Sequence, residues 1–327
     1  MAVMNLLQAV NETLRQEMKR NDKVVVFGED VGHEGGVFRA TVDLQKEFGK
    51  DRCMDTPLAE SGIVGVGIGM AINGMIPVVE IQFMGFIYPA YNQIVSHMAR
   101  MRNRSRGRFT VPMVIRTPYG AGIRALEHHS ESTETLFAHI PGIKVVIPST
   151  PYDAKGLLAS AIRDEDPVIF MEPTRIYRAF KQEVPEEEYL IPIGKAKVVQ
   201  QGKDITLISW GACMRETLKA AELAKAQGIE AEVIDLRTIA PLDRETVIES
   251  VKKTGRVLVI HEATKTLGIG AELIAMINEK AFLHLEAPPA RITGFDTVVP
   301  LPKGEHHYIP SPEQILKKMT ELTTFLT

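Results

Sequence analysis

The chain has 327 residues, of which 45% are hydrophobic and 24% are charged, and its formal net charge is −3. These values exclude collagen, coiled-coil and disordered classes, and they provide no global basic field for a nucleic-acid partner. At about 100–200 residues per domain, the length predicts two domains. The two cysteines, Cys53 and Cys213, lie far apart, which excludes a disulfide scaffold or a structural zinc cluster and fits a reducing compartment.

The N-terminal segment predicts an amphipathic surface helix rather than a signal peptide. Leu7, Val10, Leu14 and Met18 fall on one helical stripe, with charged residues elsewhere. The longest apolar run, 63–72, is interrupted by glycines and is far shorter than the ~20 residues of a membrane span. We therefore expect a cytoplasmic protein with no membrane partner.

Helical patterns alternate with short runs of valine and isoleucine, which predicts an α/β fold with mostly parallel sheets covered by helices. Strands are predicted at 24–28, 76–83, 113–116, 144–147, 168–171, 205–209, 231–235 and 257–260. Helices are predicted at 5–19, 90–102, 154–163, 215–226, 244–252 and 271–280, and a last helix begins after a capping box at Ser311 and Gln314. The charged, aperiodic segment 181–194 predicts a linker between domains at 1–180 and 195–327.

The glycine-rich segment 62–69 has two interpretations. A dinucleotide-binding loop needs a strand that runs directly into the glycines and an acidic residue about 20 residues later. Pro57 and Ser61 precede the glycines instead, where that strand should still continue. We therefore favour a buried helix whose glycines allow close backbone packing.

Glu60 begins that helix, and two roles stay open for it. A carboxylate in the first turn commonly caps a helix and is favoured by the helix dipole. Beside Leu58 and Ile63, the same carboxyl group could exchange a proton near neutral pH. Desolvation would raise its pKa and the dipole would lower it, so the residues alone do not decide between the roles.

Two further polar clusters attract attention. His128 and His129 are adjacent, and neighbours in sequence rarely face one metal ion, so a solvated side chain or a catalytic acid is the better interpretation. The second cluster is a block of five arginines between residues 100 and 108. It is typical either of a solvated helix end or of a surface that binds a phosphate-bearing ligand or an acidic partner. Its members are Arg100, Arg102, Arg104, Arg106 and Arg108.

Several motifs follow one another in an order that resembles one family. They are Met54-Asp-Thr-Pro-Leu-Ala-Glu60-Ser-Gly, Glu80-Ile-Gln-Phe, His129-Ser-Glu-Ser, the runs 141–158, 161–167 and 232–238, and Lys253-Thr-Gly-Arg-Val. Together they resemble the beta subunit of the thiamine diphosphate-dependent 2-oxo acid dehydrogenases, which include the pyruvate, branched-chain and acetoin enzymes. The resemblance extends from about Asn5 to the last helix.

The resemblance implies a pyrimidine-binding thiamine-enzyme domain followed by a transketolase C-terminal-like domain. It implies an α2β2 heterotetramer that binds thiamine diphosphate between its subunits. In this family, magnesium is held mainly by the alpha subunit, through a Gly-Asp-Gly motif. This sequence contains no Gly-Asp-Gly. The implied reaction decarboxylates a 2-oxo acid and passes the acyl group to lipoyl-lysine of a dihydrolipoyl acyltransferase. The C-terminal half of a split transketolase is the alternative enzyme, and a nucleotide-binding protein or a non-catalytic scaffold subunit are alternatives of other classes.

The resemblance also implies roles for single residues. Glu60 matches the glutamate that bonds the aminopyrimidine ring nitrogen and favours the tautomer that deprotonates the thiazolium carbon. Leu58, Gln82 and Phe86 match cofactor-pocket positions, and phenylalanine at the last of these favours pyruvate-like members. His129 matches a histidine at the mouth of the active-site channel, where it stabilises intermediates and assists reductive acylation.

A potassium site that braces a loop in relatives is the last implied feature. An aspartate replaces the usual asparagine at its final position, which matters little if the ligands are backbone carbonyls. The matching positions are the carbonyl of Met113 together with Ala161, Ile162, Asp164 and Asp166.

Overall fold

The fold is that of a computed structural model, which describes residues 1–325. Up to residue 184 the strands are β1 (Ala2–Met4), β2 (Val24–Gly28), β3 (Cys53–Asp55), β4 (Ile76–Glu80), β5 (Val114–Tyr119), β6 (Lys144–Val146), β7 (Val168–Pro173) and β8 (Gln182–Val184). The α-helices of this part are α1 (Leu6–Arg20), α2 (Leu44–Phe48), α3 (Glu60–Ile72), α4 (Tyr91–Ser96), α5 (Met101–Arg104), α6 (Glu134–Ala138) and α7 (Pro151–Ile162). Short 3₁₀ helices lie at Met84–Ala90, Met98–Arg100, Glu127–His129 and Thr174–Ile176.

The remainder of the chain repeats the α/β pattern. Its strands are β9 (Lys197–Gln200), β10 (Ile205–Ser209), β11 (Ala231–Asp235), β12 (Thr238–Ala240), β13 (Val257–Ile260) and β14 (Ala290–Ile292). Its helices are α8 (Cys213–Lys225), α9 (Arg244–Thr254), α10 (Ile269–Ala281), the 3₁₀ helix Phe282–His284, α11 (Glu305–Tyr308) and α12 (Pro312–Thr323). The end of the predicted C-terminal domain, 326–327, lies outside the described residues.

Two parallel sheets organise the molecule. The first has the strand order β12-β6-β7-β5-β4-β2-β3, and its neighbours are parallel except for β12 against β6. The second has the order β14-β13-β10-β11-β9 and is parallel except for β9. Strands β2, β10 and β13 are buried along their whole length. The predicted fold class, mostly parallel sheets covered by helices, is therefore confirmed.

The first helix shows how sequence fixes a local element. The Asn5 side chain accepts a hydrogen bond from the backbone N–H of Gln8 at 2.9 Å, and the Gln8 side chain accepts one from the backbone N–H of Asn5 at 3.0 Å. This capping box satisfies two amides that the first turn would leave unpaired. The predicted apolar stripe of α1 is buried against α7.

The two halves of the chain share one hydrophobic core rather than meeting only at a linker. Met171 of β7 and Trp210 of the C-terminal part belong to the same buried cluster. Strand β12, which follows β11, leaves its own sheet and pairs with β6 of the first sheet. The Arg237 guanidinium also donates a hydrogen bond to the carboxylate of Asp153 at 3.1 Å.

Two local expectations are wrong. The helix predicted at 90–102 is divided into α4, the 3₁₀ helix Met98–Arg100 and α5, and the strand predicted at 76–83 ends at Glu80. The segment 181–194, predicted as the interdomain linker, contains β8, which pairs antiparallel with β1. Pairing with the N-terminus is a long-range contact, so local aperiodicity could not reveal it. Within residues 1–325, no helix combines the length and apolar character needed to cross a membrane.

Candidate active site

The carboxyl ends of neighbouring parallel strands gather the predicted catalytic and cofactor-binding residues at one edge of the first sheet. Leu58 and Glu60 follow β3, Gln82 and Phe86 follow β4, and His129 lies in the segment after β5. Ligands of open α/β sheets bind outside the carboxyl ends of the strands. The structure therefore brings together, in one region, residues that are up to 71 positions apart in sequence.

Glu60 stands at the start of α3, where no side chain caps the helix. The N-cap residue is Ala59, and within residues 1–325 the Glu60 carboxylate accepts no hydrogen bond and forms no ion pair. Ser61 donates its hydroxyl to the carbonyl of Pro89, which ties the helix start to the segment that carries Phe86. The carboxylate is thus partly buried, held in place by its helix and free to meet a ligand.

The glycine-rich segment forms the predicted helix, α3, but only part of the packing argument holds. A β-carbon on Gly67 would lie 2.7 Å from Met113 Cε and 3.3 Å from Val79 Cγ1, so any larger residue would have to displace the end of the Met113 side chain. Gly65 and Gly69 face open space instead. They lie on an exposed helix face, which is the physical reason why the expectation of close packing fails there.

Two acidic residues after β2 were not among the predicted site residues. Burial, followed by the charges of Asp30 and Glu60, raises the pKa of Glu29 above its ordinary value. The Gln82 amide donates a hydrogen bond to the Asp30 carboxylate at 3.2 Å. Their position directly after a buried parallel strand is the sequence signal that could have identified them.

His129 is enclosed by two phenylalanine rings. The imidazole meets Phe83 edge to face with 4.5 Å between ring centroids and meets Phe86 in the same way at 5.0 Å. Its Nδ1 atom is buried and has no hydrogen-bond partner in the described part of the chain. The aromatic contacts fix the plane of the ring, and Nε2 is the nitrogen left to meet a ligand.

The neighbouring His128 has a different environment. It is exposed, and its Nδ1 lies 3.7 Å from a carboxylate oxygen of Glu131. The Tyr88 hydroxyl donates a hydrogen bond to the same carboxylate, and burial raises the pKa of that phenol. Among residues 1–325, no cluster of histidine, cysteine, aspartate and glutamate has the geometry to hold a metal ion.

A buried charged network supports the sheet next to this edge. The Arg116 guanidinium donates to the Glu172 carboxylate at 2.7 and 2.9 Å and to Glu80 at 2.8 Å, and all three side chains are buried. The hydroxyl of Tyr177 donates to Glu172 at 2.7 Å. Sequence reasoning missed this network, because its charges stand within strands otherwise typical of apolar cores.

The five predicted potassium positions lie at the opposite, amino-terminal edge of the sheet. The Met113 carbonyl accepts a hydrogen bond from the Val168 amide at 3.0 Å, which joins this position to the segment after α7. The Lys144 ammonium lies 2.6 Å from Asp164, and Arg102 donates to Asp166 at 2.6 Å. Both side-chain carboxylates are therefore already neutralised.

The arginine block lies at this same amino-terminal edge, away from Glu60 and His129. Arg100, Arg102 and Arg106 line a cavity of about 1180 Å³ beside the segments that lead into β6 and β7. Arg102 pairs with Glu165 as well as with Asp166. The structure thus separates the block from the predicted catalytic residues.

The candidate site is open on one side. Leu58, next to Glu60 in the loop before α3, is 71% exposed, and Val66 of α3 is 53% exposed. Large apolar side chains at such exposure next to a polar site are typical of a surface that a partner or ligand covers.

Comparisons with known proteins agree with this architecture. Residues 2–179 match the family model of the transketolase pyrimidine-binding domain, and residues 194–315 match that of the transketolase C-terminal domain. A solved structure described as a split gene transketolase, inactive beta4 tetramer, has a TM-score of 0.81 over 100% of both chains at 20% identity, which shows the common fold. Fold and site therefore define a two-domain protein of the transketolase class.

Curated relatives identify the family within that class. The pyruvate dehydrogenase E1 component subunit beta of Acholeplasma laidlawii is 62% identical over 98% of both chains. The subunit of the same name from Bacillus subtilis is 54% identical over 99% of this chain and 100% of the relative. The chain belongs to the family of 2-oxo acid dehydrogenase beta subunits that includes these relatives, and the resemblance identified from the motifs is confirmed.

Proposed function

We propose that this chain is the catalytic beta subunit of a pyruvate dehydrogenase, working with an alpha subunit in an α2β2 heterotetramer. The unpaired Glu60 carboxylate at the carboxyl edge of the sheet is the observation that carries this proposal. The names of the relatives, at 54–62% identity, support pyruvate as the substrate. The acyl group formed from pyruvate is then transferred to lipoyl-lysine on a dihydrolipoyl acyltransferase.

The residues at this edge fit the aminopyrimidine half of thiamine diphosphate. When bound, this cofactor supplies the electron sink that decarboxylation of a 2-oxo acid requires. Glu60 would hold a proton at the pyrimidine ring nitrogen, since its carboxylate has no competing partner within residues 1–325. Gln82 would orient the ring through its amide, while Leu58 and Phe86 would cover its faces and exclude water. Magnesium and the diphosphate would be held mainly by the alpha subunit.

His129 would act where the acyl group leaves. Enclosure of Nδ1 between aromatic rings leaves Nε2 as the atom that can donate or accept a proton. A positioned imidazole in such a place can stabilise charge on an oxygen atom of the substrate and protonate a departing sulfur. We assign no step to His128, whose exposure and carboxylate neighbour indicate a surface position.

A potassium ion at the opposite edge is a secondary part of the proposal. Its ligands would be backbone carbonyls of Met113, Ala161 and the segment up to Asp166, because the two aspartate side chains are neutralised by Lys144 and Arg102. Potassium chloride should then raise the melting temperature of the tetramer more than sodium chloride at equal ionic strength. Equal effects of the two salts would contradict the site.

One experiment tests the proposed function directly. The chain is produced together with the alpha subunit from the same source and assayed with thiamine diphosphate, magnesium and a lipoyl domain on pyruvate, branched-chain 2-oxo acids and acetoin. Preferential turnover of pyruvate is the expected result. Ketol transfer between sugar phosphates, with no decarboxylation, would favour the alternative of a split transketolase half. Preference for branched-chain acids or acetoin would contradict the assigned substrate.

A further inference from the structure

The segment that carries His129 is held by the C-terminal part of the chain. We define the histidine loop as residues 120–132, which connect β5 to the start of α6. Two buried carboxylates from outside the first sheet reach this loop. They belong to Glu305, the first residue of α11, and Glu262, which follows β13.

The Glu305 carboxylate binds the backbone of the histidine loop. One carboxylate oxygen accepts a hydrogen bond from the amide of Gly122 at 2.6 Å, and the other accepts one from the amide of Arg124 at 3.1 Å. Glu305 is 4% exposed. Both oxygens of the buried carboxylate thus accept hydrogen bonds from amides within one short stretch of the loop. Charge-assisted hydrogen bonds of this kind are stronger than neutral ones.

Glu262 holds the other end of the loop. It accepts a hydrogen bond from the Ser132 hydroxyl at 2.9 Å and pairs with Arg175 at 3.1 Å. A β-carbon on Gly120 would lie 2.0 Å from a Glu262 carboxylate oxygen. Gly120 also has a φ of +89°, so its backbone conformation and the close approach both require glycine.

An apolar contact accompanies the two carboxylates. Ala121 of the loop is buried in one cluster with Val299 and Tyr308, so the loop touches the C-terminal part through side chains as well as amides. Leu126 and His128, between the two anchored ends, are exposed. The C-terminal part of the chain consequently holds both ends of the loop, while the two histidines in its middle pack against the rings of the segment 83–88.

We propose that Glu305, assisted by Glu262, is a positioning residue that sets the place of His129 through the backbone of the histidine loop. The C-terminal part of the chain would then contribute to acyl transfer without touching the substrate. This inference rests on the proposed role of His129 in transfer to the lipoyl group. Neither carboxylate is a catalytic residue. Within residues 1–325 the Glu305 carboxylate bonds to the amides of Gly122 and Arg124, and the Glu262 carboxylate bonds to Ser132 and Arg175.

Glu305→Gln in the assembled tetramer is the first test, since it keeps the size of the side chain and removes its charge. Peptide-level hydrogen exchange of 120–126 should accelerate at least about tenfold, because each ~1.4 kcal/mol of lost local stability changes an opening equilibrium tenfold. Reductive acylation of a lipoyl domain should fall more than decarboxylation measured with an artificial electron acceptor. Glu313→Gln, at an exposed glutamate of α12, is the matched control and should change neither.

Unchanged exchange in the histidine loop of Glu305→Gln would overturn the inference. So would a faster-exchanging loop with unchanged lipoyl acylation, because the position of the loop would then not matter for His129. Ser132→Ala provides a second variant if the first fails to assemble. It removes one hydroxyl from the Glu262 contact and should accelerate exchange in peptides covering 129–133, and no acceleration there would count against the inference.

His129→Ala separates failure of this inference from failure of the proposed function. If that variant acylates lipoyl groups at the wild-type rate, the proposed role of His129 is wrong, and the positioning inference loses its functional half with it. If His129→Ala is impaired while Glu305→Gln is not, the proposed function stands and only the positioning inference is wrong.

Discussion

The imidazole of His129 meets the ring of Phe83 edge to face, with 4.5 Å between the ring centroids. Edge-to-face pairs of this kind are worth about 0.5–1.5 kcal/mol beyond the area that they bury. Phe83 is itself buried at the end of the segment that follows β4. The histidine is therefore oriented by the core of the N-terminal sheet as well as by its own loop.

His129→Ala should impair transfer to lipoyl groups more than decarboxylation measured with an artificial electron acceptor. Loss of a general acid typically costs about 100–10,000-fold in the step that it assists. The comparison uses the assembled tetramer and both assays on one preparation. His128→Ala, at the adjacent exposed histidine, is the control and should behave as wild type. Equal lipoyl rates in His129→Ala and His128→Ala would remove the assigned role.

The isolated chain should lack decarboxylase activity, even with thiamine diphosphate and magnesium. The sequence has no Gly-Asp-Gly segment to hold the metal and diphosphate, and the apolar side chains beside Glu60 are exposed. Addition of the alpha subunit should restore activity. Robust turnover by the rigorously purified single chain would contradict the proposed division of the site between subunits.

Arg116→Met should strongly destabilise the N-terminal sheet, because Glu80 and Glu172 would be left as unpaired buried carboxylates. Removal of one partner from a buried charged pair costs about 3–5 kcal/mol. Denaturant titration of the purified chain measures this change in the free energy of unfolding. Arg102→Met removes the surface ion pairs with Glu165 and Asp166 and should have a much smaller effect, so similar losses in the two variants would contradict the argument.

The deprotonation of Glu134 should lower the free energy of unfolding as pH rises from about 5 to about 8. Burial raises the pKa of Glu134 from its ordinary 4.5 to about 7, so between these values the folded chain holds a proton that the unfolded chain releases. At about 1.4 kcal/mol per pKa unit, this residue accounts for about 3 kcal/mol of lost stability at the upper end of the range. Asp235, whose pKa burial also raises to about 7, adds to the slope.

Glu134→Gln tests this pH dependence, because the amide keeps the shape of the side chain and does not titrate. Denaturant midpoints at pH 5 and pH 8 should lie closer together in the variant than in the wild type. A residual difference is expected from Asp235. An identical pH slope in both proteins would show that Glu134 does not titrate in this range.

Sequence reasoning predicted most of the elements that have a local signature. The capping box at Ser311 and the valine-rich strands follow from periodicity and end signals that a few neighbouring residues carry. Pairing of β8 with β1 and of β12 with β6 joins residues far apart in sequence, so no local pattern reveals it. The division of the helix predicted at 90–102 into α4, a 3₁₀ helix and α5 was not predicted either.

The residues of the candidate site also fall into those that a sequence motif identifies and those that only the structure reveals. Glu60, Gln82 and His129 were identified because their motifs match a family. Glu305 was not identified, because its carboxylate binds the backbone amides of Gly122 and Arg124, which lie far from it in sequence. A glutamate at the start of a four-residue helix has no sequence feature that distinguishes such a contact from a solvated side chain.

We propose above all that Glu60 exchanges a proton with the pyrimidine ring nitrogen of the cofactor and does not merely cap α3. Glu60→Gln keeps the size and hydrogen-bonding reach of the side chain but cannot transfer a proton. Turnover and catalytic efficiency should fall together, as they do when a group acts mainly in the transition state. If Glu60 only capped the helix, its loss would cost about 0.5–2 kcal/mol of stability and leave the chemistry intact. Glu313→Gln, at the first-turn glutamate of α12, is the control for the helix effect.

The most direct measurement is the rate of thiazolium proton exchange in the tetramer assembled with Glu60→Gln, taken together with its melting temperature. We predict exchange about 100–10,000-fold slower than in the wild-type tetramer, with a nearly unchanged melting temperature and with the cofactor still bound. Wild-type exchange combined with a lowered melting temperature would show that Glu60 is a helix cap and would contradict the catalytic assignment.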